Sequence, residues 1–178
     1  MKRIILMVVR CIVFVPFWFY QIKKYGNTEK YSEEEAFTFV HRLMGKICRA
    51  GRVEIDAKGM EQLPKENGYI LFSNHQGLFD SLVFFKTHER PFGIVIKKEM
   101  SNVFFVKDII RLVRGIYIDR DDIRQSMSVI KQMAKEVKSG RNYLIFPEGT
   151  RSKNGNVPGE FKAGTFKSAT KAKCPIVP

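Results

Sequence analysis

From residue 51 onwards, short apolar runs alternate with longer amphipathic segments, and this alternation constrains the fold more than any other feature. Apolar runs bounded by turn residues are typical of buried strands, and the segments with helical periodicity are typical of helices. The candidate strands are 69–73, 92–96, 115–118, 142–146 and 175–177. The candidate helices are 79–87, 101–113, 122–138 and 162–172. The pattern predicts an α/β fold with a mixed central sheet flanked by helices.

Residues 32–57 predict one further helix and one further strand. Ser32 and Glu35 have the spacing of a capping box, and an apolar stripe follows to Ile47, so an amphipathic helix is expected over about 33–50. After Gly51 the period changes to two, and the alternation of 53–57 predicts a strand.

The N-terminal segment 4–20 is apolar apart from Arg10. As a straight helix it would be about 25 Å long, against roughly 30 Å for the hydrocarbon core of a bilayer. Trp18 resembles an interfacial anchor, and Lys23 and Lys24 resemble a basic flank facing anionic headgroups. We therefore expect a shallow, monotopic or short insertion at the cytoplasmic face of the membrane.

Two other interpretations of this segment stay open. A cleaved signal peptide would explain Lys2 and Arg3, but no small-x-small cleavage site follows the apolar stretch. A buried helix of the core would explain the apolar composition without a membrane.

The net charge is +13, from 31 basic and 18 acidic residues, which favours anionic partners such as nucleic acid, an anionic membrane or a phosphorylated substrate. The cysteines Cys11, Cys48 and Cys174 form no CxxC pair, which favours free thiols in the cytosol. The three histidines lack metal-ligand spacing, so no metal site is expected.

A histidine and an aspartate follow the first buried strand, in the stretch SNHQGLFD. The strand delivers His75 to its carboxyl end, Gly77 permits a tight turn, and Asp80 falls in the first turn of the next helix. A carboxylate on one imidazole nitrogen fixes the tautomer and leaves the other nitrogen to accept a proton, as a general base requires. A purely structural arrangement, with Asp80 as a cap and His75 as a turn residue, explains the same residues.

Arg120 follows the strand of the stretch RGIYIDRDD. At a strand end its guanidinium could bind a phosphate in bidentate fashion. The alternative is a salt bridge to Asp119 or Asp122, which would contribute little stability if exposed.

The stretch NYLIFPEGTRS places four further polar or turn residues after a strand. Gly149 allows the backbone to approach a ligand, Thr150 and Arg151 offer donors for an oxyanion, and Glu148 could orient the guanidinium of Arg151. A surface turn would explain Gly149 alone. Lys97 and Lys98 end another strand; Lys98 is expected to be a solvated lysine.

Four motifs in order resemble those of the glycerolipid acyltransferases. NHQGLFD fits the NHxxxxD signature, GIYIDR fits the second motif, FPEGTRS fits the third, and CPIVP fits the hydrophobic, proline-flanked fourth. The length and the N-terminal apolar segment are similar to those of bacterial 1-acyl-sn-glycerol-3-phosphate acyltransferases.

The resemblance implies a role for each candidate residue. His75 would be the general base and Asp80 its orienting partner, and no metal or other cofactor would be needed. The acceptor phosphate would be bound by Arg120, Glu148, Gly149, Thr150 and Arg151, with Lys97 as a weaker candidate. The donor would be acyl-CoA or acyl-carrier protein, and the acceptor lysophosphatidate.

The same resemblance implies a division of the chain. Residues 1–50 would be a membrane-associated helical segment and 51–178 the acyltransferase domain, with CPIVP in the wall of an acyl groove. Family members continue beyond this fourth motif, and an apolar strand rarely ends a domain. The sequence therefore predicts a full-length protein that extends beyond residue 178.

Other functions remain possible on the sequence. An acyltransferase for another lysophospholipid or polyol acceptor would share the same motifs. A basic nucleic-acid-binding protein would use the charge, but no recognised binding motif is present. A non-catalytic protein at the membrane surface would have no use for the His75–Asp80 spacing.

Overall fold

The computed structural model describes residues 2–77, 79–152, 154–155 and 157–178; Leu78, within the first motif, lies outside them. The helices are α1 Lys2–Cys11, α2 Val15–Tyr25, α3 Glu33–Ala50, α4 Phe79–Thr87, α5 Val106–Leu112, α6 Ile123–Lys138 and α7 Lys167–Ala172. The strands are β1 Ile70–Phe72, β2 Phe92–Lys97, β3 Ile116–Ile118, β4 Asn142–Ile145 and β5 Ile176–Val177. Short 3₁₀ turns occupy Ile12–Phe14, Met60–Gln62, Lys98–Asn102 and Ala163–Phe166.

The five strands form one sheet in the order β3-β2-β4-β1-β5. The predicted α/β class is confirmed, but all four strand pairings are parallel, where a mixed sheet was expected. Helical crossovers return the chain to the same end of the sheet before each new strand, and this connection produces parallel neighbours. The carboxyl ends of all five strands therefore lie at one edge.

Helices cover both faces of this sheet. On one face, α3, α4 and α5 pack in a cluster that includes Phe37, Phe85 and Phe92, with the rings of Phe85 and Phe92 stacked 4.9 Å apart. On the other face, α6 and α7 pack in a second cluster that includes Val129 and Met133. Because parallel strands are buried on both faces, they read as continuous apolar runs in the sequence.

Three predicted elements differ in the structure. Of the predicted helix 162–172, only the part that forms α7 is α-helical, because a 3₁₀ turn precedes it. Residues 53–57 form no strand; Val53 and Ile55 instead border a cavity beside α3. The alternation of apolar and polar residues in this segment indicates that one side of it is buried. A neighbouring helix can cover that side as well as a sheet can. The predicted helix 101–113 is shorter, because Phe105 has a φ of 68° and separates a 3₁₀ turn from α5.

The predicted start of α3 is confirmed at the level of single bonds. The Oγ of Ser32 accepts a hydrogen bond from the Glu35 amide at 3.2 Å, and the Ser32 amide donates to Oε2 of Glu35 at 2.8 Å. These reciprocal bonds satisfy two amides that would otherwise lack partners at the helix start.

The N-terminal helical segment exposes many apolar side chains. Residues 4–25 are long and apolar enough to cross a membrane by length and composition. Trp18 and Ile22 are buried against the domain, and Phe19 stacks on Phe104. The exposed apolar side chains on the rest of the segment are Ile4, Ile5, Val8, Val9, Ile12, Val13, Phe14, Phe17 and Tyr20. A stripe of this kind is what a membrane-inserting segment presents.

A charged network fastens the opposite edge of the sheet, where β4 begins. Arg141 binds Glu33 at 2.9 Å, donates to the hydroxyl of Tyr143 at 2.6 Å and pairs with Glu136, which also accepts from Tyr143. Burial alone would raise the pKa of Glu136, but hydrogen bonds from Tyr143, Gln132 and Arg141 hold that pKa below its usual value.

The substitution Glu136→Gln is expected to lower the free energy of unfolding at pH 7 by about 1–3 kcal/mol, since it removes the charge from these hydrogen bonds. A carboxylate with a depressed folded-state pKa stabilises the fold above its unfolded pKa, and this contribution is lost as the pH falls through the folded pKa. Urea unfolding is measured at pH 7, where the Glu136 carboxylate is charged, and at a pH below its folded-state pKa, where it is protonated. The exposed Glu61→Gln is the control, and a Glu136→Gln effect equal at both pH values would contradict the prediction.

Candidate active site

The candidate site lies at the carboxyl edge of the sheet, between the loops that follow the adjacent strands β1 and β4. The β1 loop leads into α4 on one face of the sheet, and the β4 segment leads towards α7 on the other. Loops that diverge in this way open a crevice at the strand ends, where ligands of α/β sheets commonly bind.

His75 and Asp80 contact each other in this crevice. Nδ1 of His75 lies 2.7 Å from Oδ2 of Asp80, and both side chains are about four-fifths buried. The same Asp80 oxygen accepts hydrogen bonds from the amides of Gln76 at 2.7 Å and Gly77 at 3.0 Å. The carboxylate is thus fixed by the turn it caps, and it fixes the imidazole in turn. The structural and catalytic interpretations of Asp80 are therefore compatible.

The rest of His75 is held by the segment after β4. Its ring stacks on Phe146 with centroids 4.3 Å apart, its amide donates to Oε1 of Glu148 at 2.7 Å, and its carbonyl accepts from the Ser152 amide at 2.7 Å. Within the described part of the chain, Nε2 of His75 has no hydrogen-bond partner. The imidazole is oriented with one nitrogen available.

Glu148 has a position that differs from the one suggested by its sequence neighbours. Its side chain is buried, with the residue 3% exposed, and its second oxygen accepts from the Gly159 amide at 2.8 Å. A Cβ at Gly159 would lie 2.9 Å from that oxygen, so a larger residue there would displace the Glu148 carboxylate. Both carboxylate oxygens are used by backbone amides, and no contact with Arg151 occurs among the described residues. Glu148 connects the 148–159 segment to the His75 loop.

Arg120 reaches the same segment from the end of β3. Its guanidinium donates a hydrogen bond to the carbonyl of Gly149. Gly149 has a φ of +72°, a conformation that favours glycine, and a Cβ there would lie 2.9 Å from Cζ of Arg120 and would displace the guanidinium. Desolvation lowers the pKa of Arg120, an effect that Glu99 opposes, but an arginine stays charged at neutral pH.

Thr150 and Arg151 are exposed between Gly149 and Ser152. No hydrogen bond or ion pair of the Arg151 side chain occurs within the described ranges. The adjacent Ser152 amide binds His75, so chain connectivity keeps Arg151 near the imidazole loop. The guanidinium is available to an anionic ligand.

The two lysines at the end of β2 lie at the same edge but are paired with acids. Lys97 binds Glu99 at 2.9 Å and Lys98 binds Asp119 at 3.1 Å, all but Asp119 being largely exposed. Asp119 thus forms its salt bridge with Lys98, and the alternative salt bridge between Asp119 and Arg120 does not form. No contact joins Lys97 to His75 or to Arg151 among the residues described.

Three partners of the site were not found from the sequence. Phe146 belongs to the third motif, but its stacking on His75 depends on the register of β1 with β4. Ser152 and Gly159 act through backbone amides, which carry no residue-type signal. Across the part of the chain that the structure describes, no three acidic, histidine or cysteine side chains form a group that could hold a metal ion.

Comparison with known proteins decides the family. The family model described as Acyltransferase matches residues 54–178. The chain belongs to the Acyltransferase family. The residues of the crevice, from His75 to Arg151, all lie within the matched range.

Relatives and a solved structure agree with this assignment. The chain is 32% identical to the 1-acyl-sn-glycerol-3-phosphate acyltransferase of Borreliella burgdorferi, over 71% of this chain and 50% of that protein. It is 30% identical to a probable 1-acyl-sn-glycerol-3-phosphate acyltransferase of Mycoplasma pneumoniae, over 84% and 57%. The chain thus spans about half the length of the curated relatives it matches.

The crystal structure of the 1-acyl-sn-glycerophosphate acyltransferase PlsC from Thermotoga maritima has the same fold. It superposes with a TM-score of 0.79 at 20% identity, over 99% of this chain and 71% of that one. At this identity the likeness establishes the acyltransferase fold, including the N-terminal helices.

Proposed function

We propose that this acyltransferase-family chain transfers a fatty acyl group from an acyl thioester to the sn-2 hydroxyl of 1-acyl-sn-glycerol-3-phosphate, giving phosphatidic acid. The proposal is supported by the names of its relatives and by the residues in the crevice. The observation that carries it is the 2.7 Å contact between Nδ1 of His75 and Asp80, with Nε2 left available.

In the proposed reaction His75 acts as a general base. Nε2 takes the proton of the acceptor hydroxyl as its oxygen attacks the thioester carbonyl, and a tetrahedral intermediate forms. Collapse of the intermediate breaks the carbon–sulfur bond, and the imidazolium gives its proton to the departing thiolate. Asp80 keeps the imidazole in the required tautomer and stabilises the imidazolium. No acyl-enzyme is needed, because the acceptor supplies the nucleophile.

The acceptor phosphate is proposed to bind Arg151 and Arg120. Arg151 offers a guanidinium without an internal partner among the described residues, and Arg120 donates to the turn at Gly149 that carries Arg151. A guanidinium matches a phosphate by two parallel hydrogen bonds. Thr150 is a further candidate donor, whereas the buried Glu148 supports the site from within the protein. Lys97 stays a weaker candidate because Glu99 neutralises it.

The membrane is the proposed source of the acceptor. Acceptor and product are both amphiphiles, and the exposed apolar stripe of residues 4–20 would hold the chain at the cytoplasmic face of the bilayer. The donor thioester, acyl-CoA or acyl-carrier protein, would approach from the aqueous side.

The direct test is an acyl-transfer assay with the purified chain in lipid vesicles. Lysophosphatidate is supplied with radiolabelled acyl-CoA or acyl-carrier protein, and phosphatidic acid is separated by thin-layer chromatography. Product from one donor or both is the expected result. If other lysophospholipids give product equally well, the proposed specificity for lysophosphatidate is wrong. If no acceptor gives product, the proposed acyl transfer is wrong.

The substitution Glu148→Gln is expected to lower turnover by about tenfold. A carboxamide can accept from only one of the two amides, and its NH₂ group would face the other N–H donor, so an unsatisfied buried group costs about 1–3 kcal/mol. The His75 loop or the 148–159 segment would then shift. The acyl-transfer assay measures the loss of turnover, and thermal unfolding measures the loss of stability. The exposed neighbour substitution Glu160→Gln is the control, and unchanged turnover in Glu148→Gln would contradict a supporting role.

A further inference from the structure

A second anion site is suggested by a cavity away from the crevice. The cavity has a volume of about 880 Å³ and lies between α2, α3, the end of α4 and the extended segment 53–57. Asp80 lies in the first turn of α4 at the catalytic crevice, and Thr87 is the last residue of α4 and lines the cavity. The rise of about 1.5 Å per residue puts the two about 10 Å apart along the helix axis, so the cavity is a different place from the His75 site.

Four cations line this cavity. Arg42, Lys46 and Arg49 follow each other on α3 at intervals of four and three residues, which places them on one side of the helix. Lys86 joins them from α4, where its side chain passes over Gly45. The lining includes one acidic residue, Glu89.

The four cations are unpaired within the part of the chain that the structure describes, since Glu89, the acid of the same lining, forms no ion pair with any of them. None of their side chains forms a hydrogen bond or ion pair within the residues described. Like charges at such spacings destabilise a helix by roughly 0.2–0.5 kcal/mol per pair. By contrast, Arg141, Lys97 and Lys98 each have a carboxylate partner. An external anion would relieve the repulsion among the cavity cations.

Helix α2 contributes aromatic side chains to the cavity lining and carries part of the exposed apolar stripe. Phe17, Trp18 and Tyr25 of α2 line it, and Phe17 is also 55% exposed on the stripe. A ligand that fills the cavity therefore meets the cations of α3 and α4 as well as the aromatic rings of α2. An amphiphile with an anionic headgroup and apolar chains fits this arrangement.

We propose that the cavity binds an anionic phospholipid of the bilayer, with its phosphate among the four cations and its acyl chains along α2. The site would hold the N-terminal segment and the α/β domain in one orientation on an anionic leaflet. It is independent of acyl transfer, because binding needs neither a thioester nor His75.

Trp18 offers a local readout, since it is the single tryptophan of the chain and lies in the cavity wall. Vesicles are made from phosphatidylglycerol and phosphatidylcholine in equal amounts, with bromines on the acyl chains of one lipid or the other. Bromines quench indole fluorescence only at close range. For the unaltered chain, brominated phosphatidylglycerol should quench Trp18 at least about twofold more than brominated phosphatidylcholine, because both lipids carry a phosphate but only phosphatidylglycerol brings a net negative charge to the four cations.

The cavity variant is Arg42→Gln/Lys46→Gln/Arg49→Gln/Lys86→Gln. In this variant, the two brominated lipids should quench Trp18 equally. The matched control is Arg124→Gln/Lys131→Gln/Lys135→Gln/Lys138→Gln, which removes the same charge from exposed positions of α6 on the other face of the sheet. This control should keep the preference for phosphatidylglycerol. If the fourfold cavity variant unfolds, the exposed pair Arg42→Gln/Lys46→Gln should lose about half of the preference.

Equal losses in both fourfold variants would mean that diffuse surface charge, not the cavity, selects anionic lipid. A cavity variant that keeps the full preference would overturn the proposal. If that variant instead binds acyl-carrier protein more weakly, the cavity is a docking site for an acidic protein. Because fluorescence reports binding without turnover, failure here is distinguishable from failure of the proposed acyl transfer.

Discussion

The substitution His75→Ala is expected to reduce acyl transfer by about 10³-fold or more, since general-base catalysis typically contributes 10²–10⁴-fold. The reacting hydroxyl would have no group to take its proton, and the thiolate would have no imidazolium to protonate it. No cysteine or serine is proposed as a nucleophile that could sustain an alternative route.

The fold should survive this substitution. The contacts that fix the His75 loop are largely made by backbone atoms, namely the amide to Glu148 and the carbonyl to the Ser152 amide, and these remain in alanine. Loss of the stacking on Phe146 should cost about 1 kcal/mol beyond the buried area. Single-turnover rates together with thermal unfolding measure both quantities, and wild-type turnover would reject His75 as the base.

The companion substitution Asp80→Asn separates orientation from proton transfer. An asparagine can still accept from the Gln76 and Gly77 amides through its oxygen, so the turn should persist. It cannot stabilise an imidazolium as a carboxylate does, and activity should fall to a level between that of the unaltered chain and that of His75→Ala. Activity of Asp80→Asn below that of His75→Ala would indicate a collapsed turn instead.

Sequence reasoning predicted most of the fold because the elements carry their own signals. Parallel strands such as β4 are buried on both faces and appear as uninterrupted apolar runs, and Ser32 and Glu35 mark the start of α3. The segment 53–57 was predicted wrongly because alternation reports one-sided burial, without indicating what covers the buried side. Strand order has no local signal either, since it depends on which crossovers pack together.

The candidate residues were predictable in kind but not in their contacts. His75 and Asp80 are close along the chain, so a single turn brings them together. Glu148 and Arg120 depend on the neighbouring positions of β1, β4, β2 and β3, which the sequence does not give. The order places β4 beside β1, and Glu148 therefore contacts the backbone of His75 and not the guanidinium three residues further on.

The substitution Arg151→Ala is expected to lower kcat/KM for lysophosphatidate by about 10–100-fold, since a hydrogen bond to a charged group is worth about 1.5–3 kcal/mol. The loss should depend on the acceptor phosphate, because Arg151 is proposed to touch nothing else of the acceptor. Monoacylglycerol, which lacks the phosphate, should react slowly but at the same rate with both proteins.

The unaltered chain and Arg151→Ala, each assayed with lysophosphatidate and with monoacylglycerol, form a double-mutant-type cycle. This cycle isolates the contact between the guanidinium and the phosphate. Arg151 is better suited to this test than Arg120, whose guanidinium also donates to Gly149 and would alter the turn if removed. The control is Arg111→Ala, at an exposed arginine of α5 outside the crevice. If Arg151→Ala slows both acceptors by the same factor, Arg151 acts on the conformation of the 148–152 turn, and the phosphate must bind elsewhere.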